Sequence, residues 1–387
     1  MGPFDFRLRT RVVFGAGAIA RLGELARELG FRRTLIVSDP GIAAAGYVAR
    51  GAGVMREAGI ATIAFDGFAP NPDSAMVAAG AACAAASHID SLVAIGGGSS
   101  LDCAKGINFI LTNGGAMRDY RGYGKARVPL LPMMGVPTTA GTGSDAQSYA
   151  LISDPDTHEK MACGDPTAAF RVAVLDPELT VSQSKSMTAV AGFDALSHAV
   201  ESYVSARRTE MSALFARDAW TRLDAHYERV LHEPADLDAR GAMLLGAHEG
   251  GLAIELSMLG ATHACANPLT ARHGTTHGVA IGVMLPHVVR WNAGHVGGRY
   301  ADLLRASGRD ADPGPGGDVA RDAGERLAAR LEVLARAGGL PATLRDLGVS
   351  REALPALAAD AATQWTGTFN PRPFDAAAAL ELYERAY

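Results

Sequence analysis

The chain has 387 residues, 48% of them hydrophobic, which is enough for two domains with full apolar cores. Its 36 basic and 41 acidic residues leave a formal charge of −5, so it lacks the basic excess of a nucleic-acid binder. Cys83, Cys103, Cys163 and Cys265 are too few and too scattered for a disulfide framework or a CxxC site, and they read as reduced thiols of a cytoplasmic protein.

The first residues, Met1 to Arg7, have no apolar stretch of the kind a signal peptide needs. Thr34 to Ser38 is an apolar, β-branched run that stops at Asp39, the pattern of a buried parallel strand. A carboxylate at the end of such a strand either caps the following turn or accepts hydrogen bonds from an adenosine ribose, where it repels a 2′-phosphate and favours NAD over NADP. Ala75 to Ser87 is uncharged but short and rich in alanine, so it reads as a buried helix and not as a membrane span. Ser91 to Ile95 is a second strand. It runs into Gly96-Gly97-Gly98-Ser99-Ser100-Leu101-Asp102-Cys103-Ala104-Lys105, which opens a helix. Glycines there let the backbone approach a pyrophosphate, and the free N–H groups of the first helical turn favour an anion, although a tight strand-to-helix turn has the same appearance.

Leu130 to Val136 is a third predicted strand. It leads into Pro137-Thr138-Thr139-Ala140-Gly141-Thr142-Gly143-Ser144-Asp145, whose hydroxyls and glycines suit a phosphate and a ribose. Strand, turn and helix in repetition predict a doubly wound α/β domain over residues 1–182. Beyond Asp176 to Thr180 the texture changes to helical spacing, as in Leu327, Leu331 and Leu334, and residues 183–387 read as an all-helical domain. Asp312 to Gly317, rich in proline and glycine, is expected to be a loop between two helices.

Within this second half, Asp194 and His198 stand one helical turn apart in Gly192 to Glu201, and so share a face. His263 and His277 follow in two further segments. One carboxylate and three imidazoles make a first shell suited to Fe²⁺ or Zn²⁺. Such an ion with an open position acts as a Lewis acid toward a substrate oxygen.

Together these stretches resemble the iron-dependent (group III) alcohol dehydrogenase family. The carriers are Gly96 to Lys105, Pro137 to Ser144, Gly192 to Glu201, His263, His277 with Gly278, Asn71-Pro72, Pro286 and Asn370-Pro371-Arg372, spread over nearly the whole chain. The resemblance implies a Rossmann-like dinucleotide-binding domain, an all-α metal-binding domain as in dehydroquinate synthase-like folds, and an active site in the cleft between them. It places the metal ligands at Asp194, His198, His263 and His277. It places the contacts to NAD at Asp39, Asn71, Gly97, Gly98, Ser99, Thr138, Thr139 and Thr142, with Lys160 reaching toward the nicotinamide ribose. It further implies Fe²⁺, or Zn²⁺ as in some relatives, a small alcohol or aldehyde as substrate, and a homodimer or larger homo-oligomer.

Three positions depart from the pattern or bear on specificity. Asn267 stands where the family has a histidine near the nicotinamide. An amide cannot take up a proton near neutral pH, so proton transfer falls to water, a ribose hydroxyl or another residue, for which His273 is the candidate. Asp145 replaces the usual glutamate, and Tyr149 falls where relatives place a residue facing substrate; it either narrows the pocket or packs. The expected reaction is hydride transfer between a short alcohol or diol and NAD. The alternatives are a hydroxyacid–oxoacid transhydrogenase that keeps its cofactor bound, and a dehydroquinate synthase-like lyase. The lyase needs a basic pocket, and the His263–His277 stretch offers only Arg272.

Overall fold

The computed structural model describes residues 4–155, 160–309 and 318–387. Asp312 to Gly317 lies outside the described residues. The chain divides into one unit over Arg7–Ser182 and a second over Gln183–Tyr387, with which residues 4–6 group; Phe6 sets its ring 6.0 Å from that of Phe215.

In the first unit the elements run β1 (Arg11–Phe14), α1 (Leu22–Glu28), β2 (Arg33–Val37), α2 (Pro40–Ala44), α3 (Tyr47–Glu57), β3 (Ala61–Phe65), α4 (Ser74–Ala86), β4 (Ser91–Gly96), α5 (Gly98–Asn113), β5 (Gly122–Tyr123), β6 (Met133–Pro137), β7 (Tyr149–Ser153), β8 (Lys160–Gly164) and β9 (Val172–Leu175). Six of these strands form a parallel sheet in the order β1-β9-β6-β4-β2-β3. Strand alternation sorts the side chains into two cores. Leu35, Val37, Leu92 and Ala94 face one, packed by Val77 of α4 and Leu101 and Ile107 of α5. Ile36, Val93 and Ile95 face the other, with Leu22 and Leu25 of α1 and Met55 of α3. Both faces are therefore covered, which is why β4 is buried at every residue and reads as an uninterrupted apolar run. A small second sheet has the order β5-β8-β7.

The doubly wound expectation holds, with one shift at β6, which begins at Met133 and not at Leu130. Pro132 has no N–H to give to a ladder. The Asn108 amide instead holds Leu131 at both backbone groups, 2.8 and 3.0 Å away.

The second unit contains no strand among its described residues. Its helices are α6 (Lys185–Val204), α7 (Glu210–His232), α8 (Leu237–Ser257), α9 (Ala261–His273), α10 (His277–Asn292), α11 (Arg299–Ala306), α12 (Val319–Ala337), α13 (Leu354–Ala362) and α14 (Ala376–Ala386). Its core is apolar and includes Phe193, Trp220, Tyr227, Leu285 and Leu327. Buried charge interrupts it at Asp224, which accepts from Arg309 at 2.7 Å and Arg330 at 2.6 Å, so its desolvated carboxylate is paired. No helix of the described residues is long and apolar enough to cross a membrane.

Candidate metal centre and cofactor loops

Asp194 and His198 lie one turn apart on α6, His263 sits near the start of α9, and His277 is the first residue of α10. Three helices thus bring together residues up to 83 positions apart in the chain. Asp194 Oδ1 is ringed by the Nε2 atoms of His198, His263 and His277 at 3.4, 3.6 and 3.7 Å. These separations are too long for strong hydrogen bonds. The ring of His263 stacks on His198 at 5.1 Å and tilts toward His277 at 5.3 Å. Asp194, His263 and His277 offer ligand atoms all within 4.8 Å of one another; His198 borders this tight set through Asp194 and stands outside it.

The close approach of α10 to α6 depends on Gly278. A Cβ there would lie 2.4 Å from the Val190 carbonyl oxygen, so any larger residue would push His277 away from Asp194. Asp194, His198 and His263 are almost wholly buried, while the His277 side chain is 26% exposed. Solvent therefore touches the cluster at His277.

The donor set fits a divalent ion. Asp194 Oδ1 and His263 Nε2, which face each other in the cluster, are buried and have no hydrogen-bond partner, an expensive arrangement for polar atoms that nothing binds. Burial acts to raise the Asp194 carboxyl. The imidazoles of His198, His263 and His277 around it nonetheless hold it well below the usual carboxylate range. Burial pulls His263 down, but the Glu201 carboxylate, hydrogen-bonded to its Nδ1, and the nearby Asp194 carboxylate together push it up to about 9. A site that holds protons this firmly without metal exchanges them for a cation on binding.

In the α/β unit the residues named from sequence as cofactor contacts meet in pairs. Asn71, in a left-handed conformation at φ 55°, donates its backbone N–H to Ser99 Oγ at 3.1 Å. A Cβ on Gly97 would meet Thr139 at 3.2 Å, and one on Gly98 would meet Thr142 at 2.6 Å. The glycines are therefore required by the neighbouring threonine loop as well as by any phosphate. Thr138 is fully buried and its hydroxyl has no hydrogen-bond partner. Asp39 caps α2, accepting from the Ile42 N–H at 3.1 Å, and also accepts from Ser100 Oγ at 3.2 Å beside the glycine loop.

Lys105 ties the two loops together from beneath. Its fully buried ammonium donates to the carbonyls of Ser144, Gln147 and Tyr149 and to Ser144 Oγ, at 2.6 to 3.1 Å. Asp102, whose carboxyl is raised by burial against the charge of Lys105, accepts from the same Ser144 hydroxyl at 2.5 Å. Lys160 opens β8 opposite Ser153, and its charge also acts on Asp102. Asp145 is buried at the start of this turn. The Tyr149 ring packs against Tyr123 at 5.4 Å, over Gly164, where a Cβ would be 2.5 Å away.

Asn267 lies one turn beyond His263 on α9 and donates to Gln364 Oε1 at 3.0 Å. His273 is exposed in the last turn of α9, just before the left-handed cap Gly274. Three contributors escaped the sequence reading. Lys105 and Glu201 lie inside the recognisable motifs but nothing in the sequence gives them a role, and Gln364 has no local signature. Glu201 was findable, because it falls on the same helical face as Asp194 and His198.

Family models match in both halves. Residues 9–177 match the iron-containing alcohol dehydrogenase model, and residues 188–387 match the Fe-containing alcohol dehydrogenase family, C-terminal. The chain belongs to the iron-containing alcohol dehydrogenase family. Among curated members, lactaldehyde reductase of Escherichia coli K12 is 34% identical over 385 residues, covering 97% of each chain. NAD-dependent methanol dehydrogenase of Bacillus methanolicus is 32% identical over 368 residues, covering 95% of this chain and 96% of its own. A crystal structure of a 1,3-propanediol oxidoreductase superimposes with a TM-score of 0.95 at 32% identity over the whole of both chains. Membership makes this chain an oxidoreductase of the iron-containing class with the architecture described above.

Proposed function

We propose that this chain interconverts a short-chain alcohol or diol and the corresponding aldehyde or ketone, using NAD(H) and a divalent ion held by Asp194, His198, His263 and His277. The observation that carries the reading is the convergence of Asp194, His263 and His277 on one point, with their ligand atoms within 4.8 Å of one another. The names of the relatives, which cover lactaldehyde, methanol and propanediol, support small alcohols as the substrate class. When bound, the ion supplies Lewis acidity toward an alcohol or carbonyl oxygen, and the nicotinamide accepts or donates the hydride.

The residues contribute placement and charge. Gly97, Gly98 and Ser99 present the N-terminal N–H groups of α5 to a pyrophosphate, and Thr138, Thr139 and Thr142 supply hydroxyls along the facing loop. Asp39, half-buried beside Gly96, excludes a 2′-phosphate by like charge, which favours NAD over NADP. Asn267, held by Gln364, does not titrate near neutral pH. The proton lost from an alcohol accordingly leaves through water, a ribose hydroxyl or His273. Fe²⁺ is the ion of the family's name, and Zn²⁺ suits the same donors.

A homo-oligomer belongs to the same reading. The edge strand β1 exposes Val12 and Phe14 and, among the described residues, pairs with a strand on one side only, leaving a surface that another strand pairs with readily. Light scattering in solution gives the oligomer size directly.

The test of function is NADH formation with a panel of short alcohols and diols, and NADH consumption with the matching aldehydes. Enzyme is used as prepared, after chelation, and after reloading with Fe²⁺ or Zn²⁺. Turnover that disappears on chelation and returns on reloading is expected. Equal rates in all three states would refute the metal's role, and turnover only when two substrates are present together would identify a transhydrogenase.

A further inference from the structure

The N-terminus of α9 has no cap of its own. Gly260 precedes it with no side chain to offer, and the first free N–H groups are taken by residues from elsewhere in the helical unit. Asn370 Oδ1 accepts from the Ala261 N–H at 3.2 Å, and Glu201 Oε1 accepts from the Thr262 N–H at 2.6 Å. Gly260 is needed for this arrangement, because a Cβ there would lie 3.0 Å from Asn370 Oδ1 and 3.1 Å from Glu201 Oε1. Helix N-termini attract carboxylates, so the cap is favourable in itself.

Glu201 does something more. It lies on α6, seven residues after Asp194 and three after His198, on the face that carries both, and it is 4% exposed. Its second oxygen, Oε2, is 2.5 Å from His263 Nδ1. A carboxylate only accepts, so His263 keeps a hydrogen on Nδ1, and Nε2, on the side of Asp194 and His277, is the nitrogen left to bind a cation in exchange for its own proton. His263 is thereby distinguished from His198, whose Nδ1 has no hydrogen-bond partner.

We propose that Glu201 is a positioning residue for the metal centre. It fixes the tautomer and ring plane of His263, and it locks that imidazole to the first turn of α9. The inference rests on the reading of Asp194, His198, His263 and His277 as metal ligands. Carboxylates that hold the far nitrogen of a ligating histidine raise its basicity and remove its rotational freedom. Here one carboxylate holds both the ring and the helix on which the ring stands. An amide in its place has a single accepting oxygen for two N–H groups, so Glu201→Gln must give up one of the two bonds.

The experiment uses full-length protein stripped by chelator and titrated with Zn²⁺ against a competing chromophoric chelator. The Zn²⁺-loaded, ¹⁵N-histidine-labelled protein is then examined for a downfield Nδ1 proton. Glu201→Gln is expected to weaken Zn²⁺ binding about tenfold and Glu201→Ala up to about a hundredfold, the range seen when such outer partners are removed. The downfield proton should shift in the first variant and vanish in the second. Asn370→Ala removes the other cap of α9 without touching His263. It should lower the melting temperature while leaving Zn²⁺ affinity within twofold.

If wild-type protein binds one Zn²⁺ and both Glu201 variants bind as well as it does, the proposal is wrong although the metal site stands. If Asn370→Ala and Glu201→Ala weaken binding equally, Glu201 is only a cap and the proposal is again wrong. If wild-type protein binds no Zn²⁺, the ligand assignment itself falls.

Discussion

In the α/β unit the candidate cofactor surface is made of backbone and hydroxyls: Gly97 against Thr139, Gly98 against Thr142, Asn71 against Ser99. In the helical unit the candidate metal surface is made of buried ionisable side chains on three helices, with Asp194 ringed by three imidazoles. The first kind of surface is written in contiguous stretches, because a loop between strand and helix keeps its parts adjacent in the chain. The second is dispersed, and its geometry depends on helix packing at positions such as Gly278 and Gly260, where no chemistry is visible. A loop site should therefore fail locally and gradually when it is altered, whereas a packed ionic site should fail as a whole.

The largest effects should come from the ligands. His263→Ala or His277→Ala should bring NADH-linked turnover down to background while NADH binding, followed by its fluorescence, stays near wild type. Loss of NADH binding in these variants would break the separation between the two surfaces. Next comes Gly278→Ala, whose methyl would collide with the Val190 carbonyl. We expect a stability loss of about 1–3 kcal/mol by chemical denaturation, the usual cost of overpacking, together with weaker Zn²⁺ binding. Wild-type affinity in that variant would show that the approach of α10 to α6 does not set the site.

Gly98→Ala tests the loop side. Crowding of Thr142 should raise the NADH dissociation constant about tenfold, equivalent to about 1.4 kcal/mol, with Zn²⁺ affinity unchanged.

The smallest effect is in pH. With His263 raised to about 9 in the metal-free chain, Zn²⁺ must displace a proton, so apparent affinity should climb with pH until about 9 and then level off. Because that folded value lies above the ordinary 6.5, the stability His263 contributes is fully present below 6.5 and lost as pH rises through 9. Burial also raises Glu249 to about 8 from an ordinary 4.5, against the Arg222 charge, so its share is lost between those values. The melting temperature of metal-free protein should therefore fall toward alkaline pH. Zn²⁺ should abolish the part between 6.5 and 9, and Glu249→Gln the part at lower pH. A flat profile for metal-free protein would contradict both assignments.

Much of this was legible in the sequence, for identifiable reasons. The strands at Thr34 and Ser91 stand out because both faces of a parallel strand are buried, leaving uninterrupted apolar runs between polar stops. The start of β6 is hard to see in the sequence because Leu130 and Leu131 are as apolar as the strand. Only the proline and the distant Asn108 amide decide where pairing begins. Asp194 and His198 announce themselves by their one-turn spacing, but spacing cannot say that His198 stands outside the tight three-residue set. The glycines of the first loop stand out in the sequence as places where something can come close to the backbone. What approaches them within the protein, the threonine side chains of a loop some forty residues later, is a tertiary fact. Glu201 lay in plain view on the right helical face, yet its partner His263 is 62 residues away and the bond between them follows from the docking of two helices.

The most direct test is a crystal structure of iron-reconstituted protein with data collected on either side of the iron absorption edge. The account predicts one anomalous peak within coordinating distance of Asp194, His263 and His277, with His198 completing the shell. No peak there, or a peak ligated by other residues, would contradict it.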